Sequence, residues 1–250
     1  LRPTLLSLNV CADEAKRVGI NVELIGVFDR SDQYTIEVFS ETLLLAFEKI
    51  KTTTVDVGSL GLARNAGIDL DEGEFIWTAD ADDLQSRNSI VELVKTARNH
   101  PYPKVALFLD FWVAFGDPYH VARYVGSQWL TVADFAYHHP YVSRIFLKRD
   151  VFEHLSYQDL KITTGFAYED WDFNVRLLAS GFEFKVAPNT VMFYRQRSDR
   201  ERQSHLRGPQ RFNHCGRLHL YRQQRRGRRR CRADPRPTGR FSMIQPLPET

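Results

Sequence analysis

The chain has 250 residues, 43% hydrophobic and 26% charged, which suits a globular protein with one substantial core and excludes a disordered or fibrous one. Its formal net charge of +3 conceals a division: residues 1–196 carry 19 basic and 27 acidic groups, whereas residues 197–250 carry 15 arginines, no lysine and 4 acids. The longest apolar run, Val105 to Phe115, is broken by Asp110 and falls short of the roughly 20 residues of a bilayer span. Three widely spaced cysteines, Cys11, Cys215 and Cys231, form no disulfide framework and suit a reducing, cytoplasmic compartment.

In chain order, residues 4–18 place Leu5, Leu8, Ala12, Ala15 and Val18 on one helical face, and Gly19 ends the helix. Val22 to Phe28 is a strand ending in Asp29, with Asp32 close behind. Residues 33–50 read as a helix and the β-branched run Thr52 to Val57 as a short strand. Gly58-Ser59 offers a turn and an N-cap for a helix over 60–68, which carries Arg64 and Asn65. After the turn Asp71-Glu72-Gly73 comes the stretch Glu74-Phe75-Ile76-Trp77-Thr78-Ala79-Asp80-Ala81-Asp82-Asp83, an apolar strand that stops in three carboxylates.

Residues 86–100 carry Ile90, Leu93, Val94 and Ala97 at helical spacing and end before Pro101 and Pro103. Val105 to Phe115 is a central strand, Trp129 to Tyr137 a candidate helix, Val142 to Leu147 a strand and Arg149 to Leu155 a short helix. Gly165-Phe166-Ala167-Tyr168 leads into Glu169-Asp170-Trp171-Asp172, which opens a helix through Ser180 with Gly181 at its end. Two short strands, Phe182 to Ala187 and Thr190 to Tyr194, flank Pro188-Asn189. Strand, acid, helix, strand is the alternation of an α/β domain with a mostly parallel sheet.

Ligands of such sheets sit beyond the carboxyl ends of the strands, so the strand 74–77 delivers Asp80, Asp82 and Asp83 to that crevice. In an extended segment Asp80 and Asp82 point the same way and can reach one hard cation, while Asp83 faces elsewhere. A bland alternative is an acidic loop capping the next helix. Asp29 and Asp32 can likewise serve an Asx turn, Arg64 a helix surface, and Glu169, Asp170 and Asp172 a helix dipole. His138 and His139 read as loop residues and Trp171 as a core residue.

Taken together, Val27-Phe28-Asp29, Ala63-Arg64-Asn65-Ala66-Gly67, Trp77 to Asp83 and Glu169-Asp170-Trp171-Asp172 with Arg176 resemble the family 2 glycosyltransferases of the GT-A fold, over about Leu5 to Arg195. The resemblance implies a three-layer αβα domain and metal-dependent, inverting transfer of a sugar from a nucleotide-sugar donor to an acceptor hydroxyl. It implies Asp80 and Asp82 as a DxD pair for Mn²⁺ or Mg²⁺. Asp29, Arg64 and Asp80 fall on the donor side, Asp170 is the catalytic base, and Glu169 and Trp171 lie on the acceptor side. It also implies a glycan or lipid-linked acceptor in surface polysaccharide synthesis, with peripheral association at the inner face of the membrane.

The pattern departs from the family in places. The family opens with a strand, and here residue 1 falls in the helix after it, so a central strand is missing; the loop Asp29-Arg30-Ser31-Asp32 is shorter than the usual acidic form. After Tyr194-Arg195, Arg197 stands where many members carry a histidine. The domain therefore spans 1–196, and 197–250 is a tail of low order. The abrupt arginine-rich composition fits an out-of-frame translation. It fits equally a disordered arm that binds nucleic acid or anionic membrane through phosphates; a non-catalytic nucleic-acid-binding protein and an inactive transferase fragment are the competing functions.

Overall fold

The structure, a computed structural model, describes residues 1–116, 119–137, 139–141, 144–160 and 168–196. Residues 197–250 with their arginine run, His138, and the segment 165–167 fall outside the described residues.

The first helix, α1 (Arg2–Arg17), starts on Pro3 in its first turn and buries Leu5, Leu8, Cys11, Ala12 and Ala15 along one face. Gly19 at φ +78° ends it, a conformation that glycine adopts without the cost a Cβ would bring. Val18 is exposed rather than part of the apolar face. Burial pushes the Cys11 thiol up to about 12, so it packs as an inert apolar group.

Strand β1 (Glu23–Asp29) leads to α2 (Gln33–Glu41), whose N-cap Asp32 accepts the Thr35 amide at 2.7 Å. The helix expected over 33–50 ends at Glu41. Beyond it the chain turns to bury Leu44 and to place the Ala46 amide on Asn9 Oδ1, and residues 49–51 enter β2 (Lys49–Val55). Tertiary pairing overrides helical propensity here: β1 and β2 run parallel from Glu23 opposite Lys49 to Asp29 opposite Val55. Across that ladder Lys51 bonds Glu23, and at its edge Lys49 bonds Glu72 from the loop before β3.

Helix α3 (Leu60–Ile68) then leads to β3 (Phe75–Trp77), β4 (Leu84–Gln85), α4 (Ser89–Asn99), β5 (Val105–Gly116) and β6 (His120–Arg123). After a 3-10 turn at Ser127–Trp129 come α5 (Val132–Tyr137), β7 (Phe146–Lys148), a second 3-10 turn at Arg149–Glu153, α6 (Glu169–Ala179) and β8 (Glu183–Gln196). The second sheet has the order β3-β7-β5-β8-β4, with β6 paired to β5. The two long ladders, β1 with β2 and β5 with β8, are parallel; the shorter pairings are antiparallel. No described strand joins the two sheets. Helices α1 and α4 pack on each other and against β4, β5 and β8, while α3 packs on β1 and touches α6. The architecture is three-layer and mixed α/β.

The two short strands expected around Pro188-Asn189 are one continuous β8, which bulges at Pro188-Asn189-Thr190 opposite Asp110 and pairs with β5 on either side. The fully buried Asp110 sits at that bulge. It accepts the Asn189 amide at 3.1 Å and Arg123 Nε at 2.8 Å, and the Thr190 hydroxyl meets its own amide at 2.9 Å. The bonds from Asn189 and Thr190 hold the bulged residues of β8 to β5 where the regular ladder is interrupted.

Aromatic rings fill the centre of the core: Phe108 stacks on Tyr141 at 4.4 Å, and Phe173 of α6 lies between Phe152 at 5.6 Å and Tyr157 at 4.2 Å. Phe173 is 0% exposed, so Phe173→Ala leaves a cavity at the base of the helix that carries Glu169 and Asp170. The expected loss is about 3–5 kcal/mol of unfolding free energy, seen in urea denaturation as a lower midpoint at unchanged slope.

Candidate active site

The segment Ala63-Arg64-Asn65-Ala66-Gly67 on α3 makes three different contacts. Gly67 lets the helix approach β1 so closely that a Cβ there would stand 2.8 Å from Val27 Cγ2. Asn65 clamps the backbone of Tyr157, its amide donating to the Tyr157 carbonyl at 2.9 Å and its oxygen accepting the Tyr157 amide at 3.0 Å. Arg64 reaches two acids: Nη1 lies 2.6 Å from Glu169 Oε1 and Nη2 lies 3.0 Å from Asp80 Oδ1. Its guanidinium is 5.4 Å from the centre of the Tyr157 ring and its side chain is only 9% exposed. One arginine therefore spans from the acidic end of β3 to the start of α6.

Electrostatics keeps this bridge charged. Burial opposes the guanidinium charge, but Asp80, Glu169 and Asp170 more than offset it and hold Arg64 above its ordinary range. Burial raises Glu169, which Arg64 lowers in turn. Both acids are thus held by a counter-charge.

Asp80 and Asp82 belong to a turn at residues 81–82 rather than to an extended segment, so strand alternation does not fix their relative direction. Asp83 faces elsewhere, as expected. It is 1% exposed, with Oδ2 2.6 Å from Arg144 Nη2 and Oδ1 accepting the Arg195 amide at 2.6 Å. Arg144, itself 2% exposed and at φ +90°, also donates to Gln85 Oε1 at 3.0 Å and reaches the Asp80 carbonyl at 3.4 Å. A buried ion pair thus underlies the acidic turn and ties it to β7 and β8. Burial pushes the Asp83 carboxyl up to about 6 although Arg144 opposes the shift.

Among the described residues no three His, Cys, Asp or Glu side chains gather into a metal-binding group. Two carboxylates from the acidic turn suit a hard divalent cation that takes its remaining oxygens from phosphates and water, as Mg²⁺ commonly does.

Asp29, expected on the donor side, uses Oδ1 to accept the Val57 and Gly58 amides at 3.0 and 3.1 Å, tying the end of β1 to the turn before α3. Asp170 and Glu169 open α6, where the helix dipole favours acids. Asp170 Oδ1 accepts the Trp171 amide at 2.9 Å, and its Oδ2 lies 3.7 Å from His139 Nε2. Trp171 is half-buried and its indole donates to the Phe135 carbonyl at 2.9 Å. Glu169, expected on the acceptor side, is turned to Arg64.

Sequence reasoning missed Tyr157, Arg144 and His139. Tyr157 and Arg144 lie in stretches without a motif and take their places only through packing. His139, expected to be a plain loop residue, stacks on Trp171 with ring centres 5.6 Å apart and planes 11° apart, and Tyr168 stands at 6.4 Å.

Solved structures with the same fold are glycosyltransferases. S. aureus TarS residues 1–349 in complex with UDP-GlcNAc matches with a TM-score of 0.54 and 16% identity, over 78% of this chain and 54% of that one. The TarS complex with UDP gives 0.51 and 17%, over 78% and 56%. GalNAc-T7 with UDP, GalNAc and Mn²⁺ gives 0.52 and 15%, over 71% and 38%. The chain thus spans between about two fifths and just over half the length of these proteins. No family model and no curated protein matches the sequence. The fold is the GT-A glycosyltransferase fold.

Replacing Arg64 by methionine leaves Asp80 and Glu169 facing each other with no shared cation. The expected cost is about 3–5 kcal/mol for breaking a buried pair. Glu169 then titrates still higher in the folded state, which binds more protons than the unfolded chain above the ordinary glutamate range. Stability of Arg64→Met therefore falls as pH rises through that window and recovers on acidification toward pH 5. Thermal melts of both proteins between pH 5 and 8 test this; parallel curves count against the bridge.

Proposed function

We propose that the chain is a metal-dependent, inverting glycosyltransferase of the family 2 type that moves a sugar from a uridine diphosphate donor to an acceptor hydroxyl. The observation that carries this reading is the Arg64 bridge, which brings Asp80 and Glu169, and with Glu169 the neighbouring Asp170, together from positions remote in sequence. The neighbours in complex with UDP or UDP-GlcNAc support the choice of nucleotide.

In this reading Asp80 and Asp82 hold Mn²⁺ or Mg²⁺, and the cation supplies charge neutralisation for the departing diphosphate. Asp29 and Arg64 frame the donor side of the crevice, Asp29 from the end of β1 and Arg64 by fixing Asp80. Asp170 takes the proton of the acceptor hydroxyl; the acceptor oxygen forms its bond to the anomeric carbon as the bond to phosphate breaks, and the electron pair leaves with the diphosphate. Attack from the face opposite the leaving group inverts the anomeric configuration. Glu169 keeps Asp170 at the crevice through Arg64, and Trp171 braces the acceptor side through Phe135. A glycan or lipid-linked acceptor at a membrane surface fits this chemistry. Among the described residues no helix is long and apolar enough to cross a membrane.

Calorimetric titration of UDP should show binding that requires Mn²⁺ and weakens at least about tenfold in Asp82→Ala, while Asp170→Asn binds UDP as the parent does. With UDP-sugar and acceptor, Asp170→Asn should lose at least about 100-fold in kcat, within the range of general-base catalysis. UDP binding that ignores both Mn²⁺ and Asp82 would rule out the metal assignment.

A further inference from the structure

We propose that His139 is a positioning residue for Asp170, holding its carboxylate through Oδ2 and setting the acid side of the activity profile. This inference rests on the reading of Asp170 as the base. The imidazole is fixed from two sides: its plane lies 11° from that of Trp171, and its Nε2 is 3.7 Å from Asp170 Oδ2. The His139 and Asp170 side chains are 15% and 17% exposed, so their interaction is less screened than a surface pair.

The two oxygens of the Asp170 carboxylate meet different partners among the described residues. Oδ1 is occupied by the Trp171 amide at 2.9 Å, which sets the carboxylate plane at the start of α6. Oδ2 is the oxygen that faces His139. The 3.7 Å separation exceeds a direct hydrogen bond, and catalytic contacts of this length in a ligand-free site tighten when substrate is bound. Trp171 is anchored by its indole bond to Phe135 on α5, so the face on which His139 stacks is set by a second element. Among the described residues the imidazole meets Asp170, the Tyr168 ring and the Trp171 indole. Beside Asp170, Arg64 and Glu169 interact with its carboxylate through their charges and are paired with each other at 2.6 Å.

Two protonation states of His139 have opposite effects. As a neutral imidazole it orients the carboxylate and leaves its basicity intact. As an imidazolium it forms an ion pair that stabilises the ionised carboxylate and makes it a poorer proton acceptor. The two groups titrate as a pair, and the acid limb belongs to the pair rather than to either residue.

The test combines kinetics with a measurement that needs no turnover. In His139→Gln, kcat should fall about tenfold at pH 8 with the KM for donor unchanged, and the acid limb of the pH profile should move down by about one unit. Independently, the imidazole resonance assigned by its loss in His139→Gln should titrate at least about half a unit lower in Asp170→Asn than in the parent. If Asp170→Asn is inactive but the His139 titration is unmoved and His139→Gln keeps the parental profile, His139 has no positioning role. If Asp170→Asn retains full activity, the base assignment fails, and the positioning role fails with it.

Discussion

A buried arginine can persist only where its charge is matched, and Arg64 meets that constraint by drawing carboxylates from two remote parts of the chain. The acidic turn after β3 and the first turn of α6 would otherwise be two clusters of like charge side by side. Sharing one guanidinium makes their approach favourable and fixes their direction. The neighbouring residues serve the same end. Asn65 pins the Tyr157 backbone beside the bridge, and Gly61 lets that segment press against α3, where a Cβ would stand 2.7 Å from the Gln158 carbonyl.

A second buried pair supports the first. Asp83 and Arg144 lie beneath the acidic turn, and Asp83 also takes the Arg195 amide from β8, so the turn is tied to the central sheet from below while Arg64 holds it from the side. The positive φ of Arg144 is backbone strain of the kind concentrated at functional sites, here spent on placing a guanidinium between Gln85, Asp83 and the Asp80 carbonyl. The bulge in β8 is held in a comparable way further out, where the buried Asp110 carboxylate accepts the Asn189 amide.

Much of this was legible from residue order. The strand before Asp80, the helix carrying Arg64 and the helix opened by Glu169 and Asp170 were each marked by local signals: an apolar run ending in acids, helical spacing after a turn, and acids at a helix start before Gly181. The boundaries that failed did so for a common reason. Residues 42–51 have no local reason to leave the helix; β1 recruits 49–51 as a partner strand. Pro188-Asn189 looks like a break between two strands, and only pairing with β5 on both sides of the bulge makes them one. The two-residue β4 and the strand β6 exist because β8 and β5 offer edges to pair with.

The sequence by itself determined the class of domain, the four acidic and basic motifs and their order, because strand and helix periodicity and the chemistry of carboxylates are properties of neighbouring residues. Only the tertiary structure decided what those motifs touch. Asp83 became a buried support while Asp80 met Arg64. Glu169 turned to an arginine 105 positions earlier, and His139 came to rest between Trp171 and Asp170. Pairings of that kind depend on which backbones pack together and which charges must be neutralised out of water. Those are long-range conditions that no local pattern encodes.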